Sequence, residues 1–230
     1  MRFSIIIPTL NEAAGIEACL LALQALRADC ELVVVDGGSV DGTVKLAMPL
    51  ADKVLVSKPG RARQMNHGAG HATGEVLVFL HADTYLPAQA LELVAAHLDG
   101  IHQWGRFDVR LTGPHVMLKV IACMMNWRSR WTGIATGDQV IFATRGAFVA
   151  AGAYPDIALM EDIAFSKALK KISKPACLKA KASSSGRRWE RHGVLQTMVL
   201  MWWLRGRFAC GADPDKLAAL YAKGRLWTCG

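Results

Sequence analysis

Residues 32–43 read LVVVDGGSVDGT: four consecutive apolar residues, three of them valines, that stop at Asp36 and run into two glycines, a serine and a second Asp-Gly pair. A run this short, apolar at every position and closed by turn residues, reads as a strand buried on both faces. Such strands belong to parallel sheets covered by helices, since a strand with one wet face alternates instead. The neighbouring segments repeat the pattern. Residues 3–7 form a strand closed by Pro8, and residues 13–27 carry Ile16, Leu20, Leu23 and Leu26 at helical spacing. Residues 44–50 read as helix and 54–56 as a weaker strand, followed by a glycine-punctuated stretch from Gly60 to Gly74. Residues 76–80 make a fourth strand ending at His81-Ala82-Asp83, and Pro87 suits a helix start ahead of residues 88–98. The expected fold class is α/β, a mostly parallel Rossmann-like sheet flanked by helices.

In such a sheet ligands bind beyond the carboxyl ends of the strands. Thr9, Asn11 and Glu12 follow the first strand, Asp36 the second and Asp83 the fourth. The second half is less regular. Strands are expected over 104–111, 140–143 and 177–180, helices over 115–127 and 162–171, and a flexible loop over the SSSG of 183–186. Two closing helices, 193–209 and 214–221, suggest a domain over residues 1–192 with a basic helical extension over 193–230 packed on it.

Composition narrows the function classes. With 230 residues, 52% hydrophobic and 20% charged, the chain is globular, because disordered chains are apolar-poor and charge-rich. No apolar run approaches the roughly 20 residues of a spanning helix, and the opening MRFSIIIPTLNE is too short a stretch for a signal peptide. A cytoplasmic protein is expected. Six scattered cysteines without a C-x-x-C pair argue against a zinc ribbon, a thioredoxin motif or a disulfide framework, and read as buried thiols. The net charge of +8 is uneven: residues 167–230 hold 14 Lys and Arg against 3 Asp and Glu. A basic tail fits an anionic partner such as nucleic acid, an anionic membrane surface or a phosphorylated small molecule. No aromatic platform or reading helix supports nucleic acid. There is no G-x-x-x-x-G-K-[ST] and no G-x-S-x-G, and the Gly68, Gly70, Gly74 spacing is one residue too long for a dinucleotide fingerprint.

Several side chains carry two readings each. His81 and Asp83, two apart at a strand end, point the same way in an extended chain. Asp83 could hold a hard divalent ion together with substrate phosphates, or cap the following helix. Asp36 could meet a ligand or tie the Gly37-Gly38 turn. Arg61 and Arg63, placed in a loop after the third strand, suit a diphosphate or simply the surface. Glu161-Asp162 opens a helix, where the dipole favours acids and where a general base could sit. Asp138 lines an acceptor or enters a strand. Arg188 and Trp189 close over ligands or form an interfacial cluster. Met198–Leu204 with Trp202 and Trp203 belongs to a buried helix or to one lying on an anionic membrane.

Taken in order, SIIIPTLNE, VVVDGGSVDGT, GRARQMNHGAGHATGEVLVFLHADT, GDQVIFATR, MEDIAFSKALKK and SGRRWERHG resemble a family 2 glycosyltransferase of the GT-A fold. Their wording is closest to a bacterial subgroup named for its association with arsenosugar biosynthesis. The likeness runs from about Arg2 to His192. It implies a nucleoside diphosphate sugar as donor, a divalent metal (Mn or Mg), and inversion at the anomeric carbon onto an acceptor hydroxyl; the apolar, basic closing helix suits a lipid-linked acceptor as one option. By resemblance Thr9, Glu12 and Asp36 meet the nucleoside, with Pro8, Gly37, His81 and Ala82 beside them. Arg61 or Arg63 meets the phosphates, Asp83 the metal. Asp162 is the base, Glu161 orients or binds the acceptor, and Arg188-Trp189 matches the R-W end of Q-x-x-R-W. Three positions depart from the pattern: His81 replaces the first Asp of D-x-D, Gly37 the second Asp of V-D-D-G-S, and Ser185 the Gln. A catalytically silent nucleotide-binding or membrane-associated scaffold of the same fold is the alternative. A nucleotidyltransferase would carry a Gly-rich, Lys- or Arg-bearing loop after the first strand, which PTLNEAAG lacks.

Overall fold

The computed structural model describes residues 1–224, and for Arg188, Arg191 and His192 the backbone only. Its strands are β1 (Phe3–Thr9), β2 (Cys30–Asp36), β3 (Lys53–Val56), β4 (Val76–Phe79), β5 (Thr84–Tyr85), β6 (Trp104–Thr112), β7 (Ile141–Thr144) and β8 (Ala176–Ser185). They form one mixed sheet in the order β3-β2-β1-β4-β7-β6-β8-β5. The first four strands run parallel; β7 is antiparallel to both β4 and β6, β8 is parallel to β6, and β5 antiparallel to β8. Thr9 lies opposite Asp36, and Asp36 opposite Val56, so three carboxyl ends finish at one edge.

Alternation within the buried strands assigns each face its own core. Ile5, Ile7, Leu32, Val34 and Val78 pack under α1 (Ile16–Leu23), α2 (Thr43–Ala47) and α4 (Ala90–His97). Ile6, Val33, Val35, Leu77 and Phe79 face α3 (Arg61–His71), α6 (Arg145–Ala150) and α7 (Glu161–Leu169). The long helix α5 (Met117–Thr132) covers β6, and α8 (Arg187–His192) leads into α9 (Val194–Ala209) and α10 (Pro214–Lys223). Leu200, Leu204 and Leu217 of the last two pack on Leu159, Met160 and Ile163. Among the described residues no helix is long and apolar enough to cross a membrane.

Four expectations are corrected. Arg61 and Arg63 stand in the first turn of α3, not in a loop. The glycines that suggested punctuation serve close packing: a Cβ on Gly68 would sit 2.6 Å from Ile6 Cγ2 and 2.9 Å from Val35 Cγ2. Residues 183–185 are strand, since β8 pairs there with β6 on one side and β5 on the other, and Thr84 Oγ1 donates to Ser184 Oγ at 3.1 Å. Arg188-Trp189 lies in helix α8 instead of a closing loop. Strand β1 also runs past Pro8 to Thr9, while β5 and α6 had no signal in the sequence. Of the cysteines, Cys19 and Cys30 are buried, and burial pushes both thiols up to about 12. Cys123 and Cys210 are exposed, Cys177 is half-buried, and Cys229 lies outside the described residues.

One buried carboxylate fastens the amino-terminal edge of the sheet. Glu31 Oε1 accepts from Ser4 Oγ at 2.6 Å, Thr73 Oγ1 at 2.9 Å and Thr73 N, and Lys53 Nζ lies 3.0 Å from Oε2. Burial alone would raise this carboxyl, but the hydrogen bonds outweigh it and hold it at about 2. A depressed carboxyl contributes stability above its unfolded value that is lost as pH falls through the folded one. Wild-type stability should therefore decline between pH 4.5 and about 2. Glu31→Gln should cost about 3 kcal/mol at neutral pH and flatten that acid limb, as read by urea unfolding across pH.

Candidate active site

At the carboxyl edge, the loops after β1 and β2 are tied together by their own polar groups. Asn11 takes a positive φ of 54°; its N–H donates to Ser39 Oγ at 2.7 Å and its Oδ1 accepts from Val40 N at 3.0 Å. Glu12 N donates to Thr43 Oγ1 at 2.9 Å, and Ala13 N to Asp41 Oδ2 at 3.0 Å. Asp36 is buried, and its Oδ2 accepts from Gly38 N at 2.8 Å and Ser39 N at 2.7 Å, its Oδ1 from Ser39 Oγ and, at 3.3 Å, Thr9 Oγ1. Asp36 thus ties the turn, as an Asx-type residue does. Gln64 Nε2 bridges Thr9 O at 2.7 Å and Val35 O at 2.8 Å, and a Cβ on Gly37 would press it at 3.2 Å. That contact gives a steric reason for glycine here.

A cavity of about 510 Å³ opens beside this edge and collects Arg61, His81, Asp83, Asp138, Glu161, Asp162 and Trp189. Pro8, Thr9, Glu12, Asp36, Gly37, Arg63 and Ala82 do not line it. Arg63 is turned away, its Nε at 2.8 Å and 2.9 Å from the two carboxylate oxygens of Asp156. Arg61 looks inward. Its side chain stays solvent-exposed along the cavity wall; the crowding around it works against its charge, but Tyr221, Glu161, Asp138 and Asp162 outweigh that and raise its pKa. Asp83 caps no helix, since α4 begins at Ala90 after Gln89. Its Oδ2 lies 3.6 Å from Arg187 Nη2, which also stands 3.8 Å from Glu12 Oε2. Burial and then the Asp83 carboxylate push Glu12 upward, against the pull of Arg187, Arg61 and His81. Two carboxylates therefore face one guanidinium at the cavity mouth.

The opposite wall comes from the start of α7. Met160 adopts a positive φ of 68°, a conformation L-residues rarely take, and turns the chain so that Glu161 and Asp162 form the first turn of the helix. Glu161 is buried; burial and the neighbouring Asp162 raise its pKa, against Arg61. Asp162 Oδ2 accepts from Gly137 N at 2.9 Å and Oδ1 from Ile163 N at 2.7 Å. Gly137 begins a short 3₁₀ turn capped by Thr136 and Gln139, and it packs close against the His81 imidazole. His81 Nδ1 is 3.7 Å from Asp138 Oδ1, which also accepts from Ser184 Oγ at 3.4 Å. Burial would raise Asp138, but His81, Arg61 and Ser184 together lower it.

Reading the sequence alone missed Arg187, Met201, Arg205 and Tyr221, all of which line this cavity. Arg187 was adjacent to the residue singled out; the side chain of Arg188 and that of His192 lie outside the described residues. Ser185, in the position of the Gln, accepts from Arg187 N at 3.2 Å and Nε at 3.1 Å. Tyr221 had no signal beyond being a polar aromatic in a closing helix.

Residues 4–123 match the family described as Glycosyl transferase family 2. The chain belongs to that family. Among curated relatives, the PGL/p-HBAD biosynthesis glycosyltransferase of Mycobacterium tuberculosis is 37% identical over 171 residues, 66% of this chain and 62% of that protein. The match thus spans less than two thirds of the relative's length. The glycosyltransferase AglE of Haloferax volcanii is 32% identical over 107 residues, 42% of this chain and 35% of its own. Among solved structures, Staphylococcus aureus TarS 1-349 in complex with UDP-GlcNAc superposes with a TM-score of 0.64 at 19% identity, covering 97% of this chain and 72% of that one. The mannosyltransferase PcManGT of Pyrobaculum calidifontis, in complex with GDP-Man and Mn2+, gives 0.63 at 22% identity, covering 97% and 69%. At these identities the family 2 structures establish the fold, which is GT-A.

Proposed function

We propose that this chain is an inverting glycosyltransferase that moves a sugar from a nucleoside diphosphate sugar to an acceptor hydroxyl. The observation that carries the reading is the carboxylate of Asp162, held by the Gly137 N–H and facing the same cavity as Arg61 and Asp83. The acceptor oxygen attacks the anomeric carbon while the bond to the diphosphate breaks on the other side. Asp162 takes the hydroxyl proton, and the nucleoside diphosphate leaves with the bonding electron pair. A single base serves inversion, because attack and departure occur on opposite faces. Arg61 receives charge that grows on the diphosphate. The turn built by Thr9, Asp36 and Gly37 shapes the nucleoside end, with Pro8, Glu12 and Ala82 behind it.

The side chains fit a divalent ion in part. Asp83 and Glu12 supply hard oxygens close enough to act on each other's charge, yet no group of three His, Cys, Asp or Glu among the described residues makes a full ligand set. Asp83 would anchor Mn or Mg, with diphosphate oxygens and water completing the sphere. The ion would supply charge neutralisation of the leaving diphosphate. His81 is engaged with Asp138 and Gly137 instead.

Location follows from the same surface. Val120, Met124, Trp127 and Trp131 stand exposed along one face of α5, and Leu195, Val199 and Trp202 along α9. With the basic C-terminal region over residues 193–230, they suit a cytoplasmic protein resting on the anionic inner face of a membrane, the domain over 1–192 carrying the donor. The motif likeness to the arsenosugar-associated subgroup assigns no substrate here.

Thermal shift against UDP, GDP, CDP, ADP and dTDP, with and without manganese or magnesium, tests the reading. A ligand at a hundred times its dissociation constant adds about 2.7 kcal/mol, which is about 5–10 °C for a chain of this size. A metal-dependent response to one diphosphate is expected, and Asp83→Asn should remove its metal dependence. A response without metal keeps the transferase and places neutralisation on Arg61 and Arg187. No response to any nucleotide favours the silent scaffold.

A further inference from the structure

Beside the polar cavity lies a second one of about 520 Å³, held between α5 and α9 and walled by Met125, Trp127, Met198 and Trp202. The two share Asp138, Trp189, Met201, Arg205 and Tyr221. Asp162 lines only the polar one, and Arg128 only the apolar one. Arg205 lines both, so the order along the passage is apolar groove, Arg128, Arg205, then base.

The two arginines are the anomaly of this surface. Nε and Nη2 of Arg128 and Nε of Arg205 are shut off from solvent and have no hydrogen-bond partner among the described residues. Burial and then the neighbouring Arg205 push Arg128 down to about 10, with Asp162 pulling the other way; burial also lowers Arg205, against Asp162, Asp138 and Tyr221. Both side chains are half-buried, and cations whose inner nitrogens lose water without gaining a partner are costly. Paired guanidinium groups suit a phosphate, which takes parallel N–H bonds from both and, as a diester, offsets one of the two charges.

Resting on the transferase reading above, we propose that the acceptor is a phospholipid-like amphiphile. Its apolar chain fills the α5–α9 groove, its phosphodiester lies on Arg128 and Arg205, and its hydroxylated head reaches Asp162. The exposed apolar faces of α5 and α9, which include Trp127 and Trp202 of the groove, place its mouth where a lipid chain would enter. Arg207, 5.7 Å over the Trp203 ring, adds positive charge to the same helix α9.

Tryptophan fluorescence of the full chain, titrated below micelle formation, separates the parts of this ligand. Lauroyl lysophosphatidylglycerol carries chain, phosphate and hydroxyls; dodecyl maltoside lacks the phosphate, and glycerol 1-phosphate lacks the chain. The first should bind at least about tenfold more tightly than either of the others. Arg128→Met and Arg205→Met should each erase its advantage over dodecyl maltoside while leaving the melting temperature unchanged or higher, because methionine removes a partly desolvated cation whose inner nitrogens lack partners. Equal binding of the two detergents overturns the proposal. So does a pair of arginine variants that lose binding and melting temperature together, which would mark them as supports of the fold. A concentration-dependent dimer that shields the groove tryptophans in sedimentation and quenching also overturns it, in favour of a second copy. The nucleotide thermal shift, run on the same wild-type sample, keeps the two readings apart. A normal nucleotide response without lipid discrimination sinks the acceptor assignment alone, and no nucleotide response sinks the transferase.

Discussion

Asp162→Asn should lower kcat by about 10³-fold, within the range attributed to a positioned general base, while nucleoside diphosphate affinity changes by less than about twofold. The amide is nearly the same size, and its carbonyl oxygen still accepts one hydrogen bond from Gly137 N or Ile163 N, the two donors that hold the carboxylate. What it lacks is the ability to take a proton. The acceptor hydroxyl would then attack unassisted from an otherwise intact site. Steady-state transfer and nucleotide titration on the same sample read both numbers. A variant with wild-type kcat would remove Asp162 as base, and a parallel loss of nucleotide affinity would show that it supports the donor instead. Glu161 is the natural comparison. It lines the same cavity but is buried, with burial and Asp162 raising its pKa, so Glu161→Gln on the same assay separates the two carboxylates.

Gly137→Ala should lower kcat by about 10²-fold with only a small change in melting temperature, since misplacing a reacting group by about 1 Å has an effect of that order. The added Cβ would stand 2.3 Å from His81 Cε1 and 2.4 Å from Nε2. His81 is 15% exposed and lies against Asp138 on its other side, so the ring has little room to yield. The 3₁₀ turn must move, and with it the N–H that orients Asp162. Adding His81→Ala to Gly137→Ala removes the collision, and its kcat should exceed that of Gly137→Ala alone. Full activity in Gly137→Ala would mean that Asp162 needs no support from this turn.

The parts of the molecule legible in the sequence are those governed by burial. The runs III (residues 5–7) and LVVV (residues 32–35) are apolar at every position because successive residues feed two different cores, so strands β1 and β2 declared both themselves and the helices on either side. Asp83 and Asp162 were legible because strand ends and helix starts are where this architecture exposes carboxylates. The rest failed for identifiable reasons. Gly68 looked like a chain breaker, yet it sits within α3 because Ile6 and Val35 leave no space for a side chain. The serines of β8 looked like a loop, but their hydroxyls are taken up by Thr84 and Arg110 across the sheet. Asp36 drew attention as a ligand residue, while its oxygens are committed to its own turn. Arg128 and Arg205 are 77 positions apart in number and meet only through the packing of α5 and α9, which no local pattern encodes.

The match to the family ends at residue 123, inside α5, and the walls of the passage divide near the same place. Everything that frames the donor end is a strand terminus or the first turn behind one, locked to its neighbours by backbone pairing. The proposed acceptor end is made by helices that reach the rest through side-chain clusters, α9 and α10 on Leu159, Met160 and Ile163. Side-chain packing tolerates exchange of one apolar residue for another of similar volume far better than a strand tolerates a break in its ladder. On the proposed reading, exchanges among the groove residues would therefore alter which acceptor fits while leaving the strand termini, and with them the cavity that holds Asp83 and Asp162, in place.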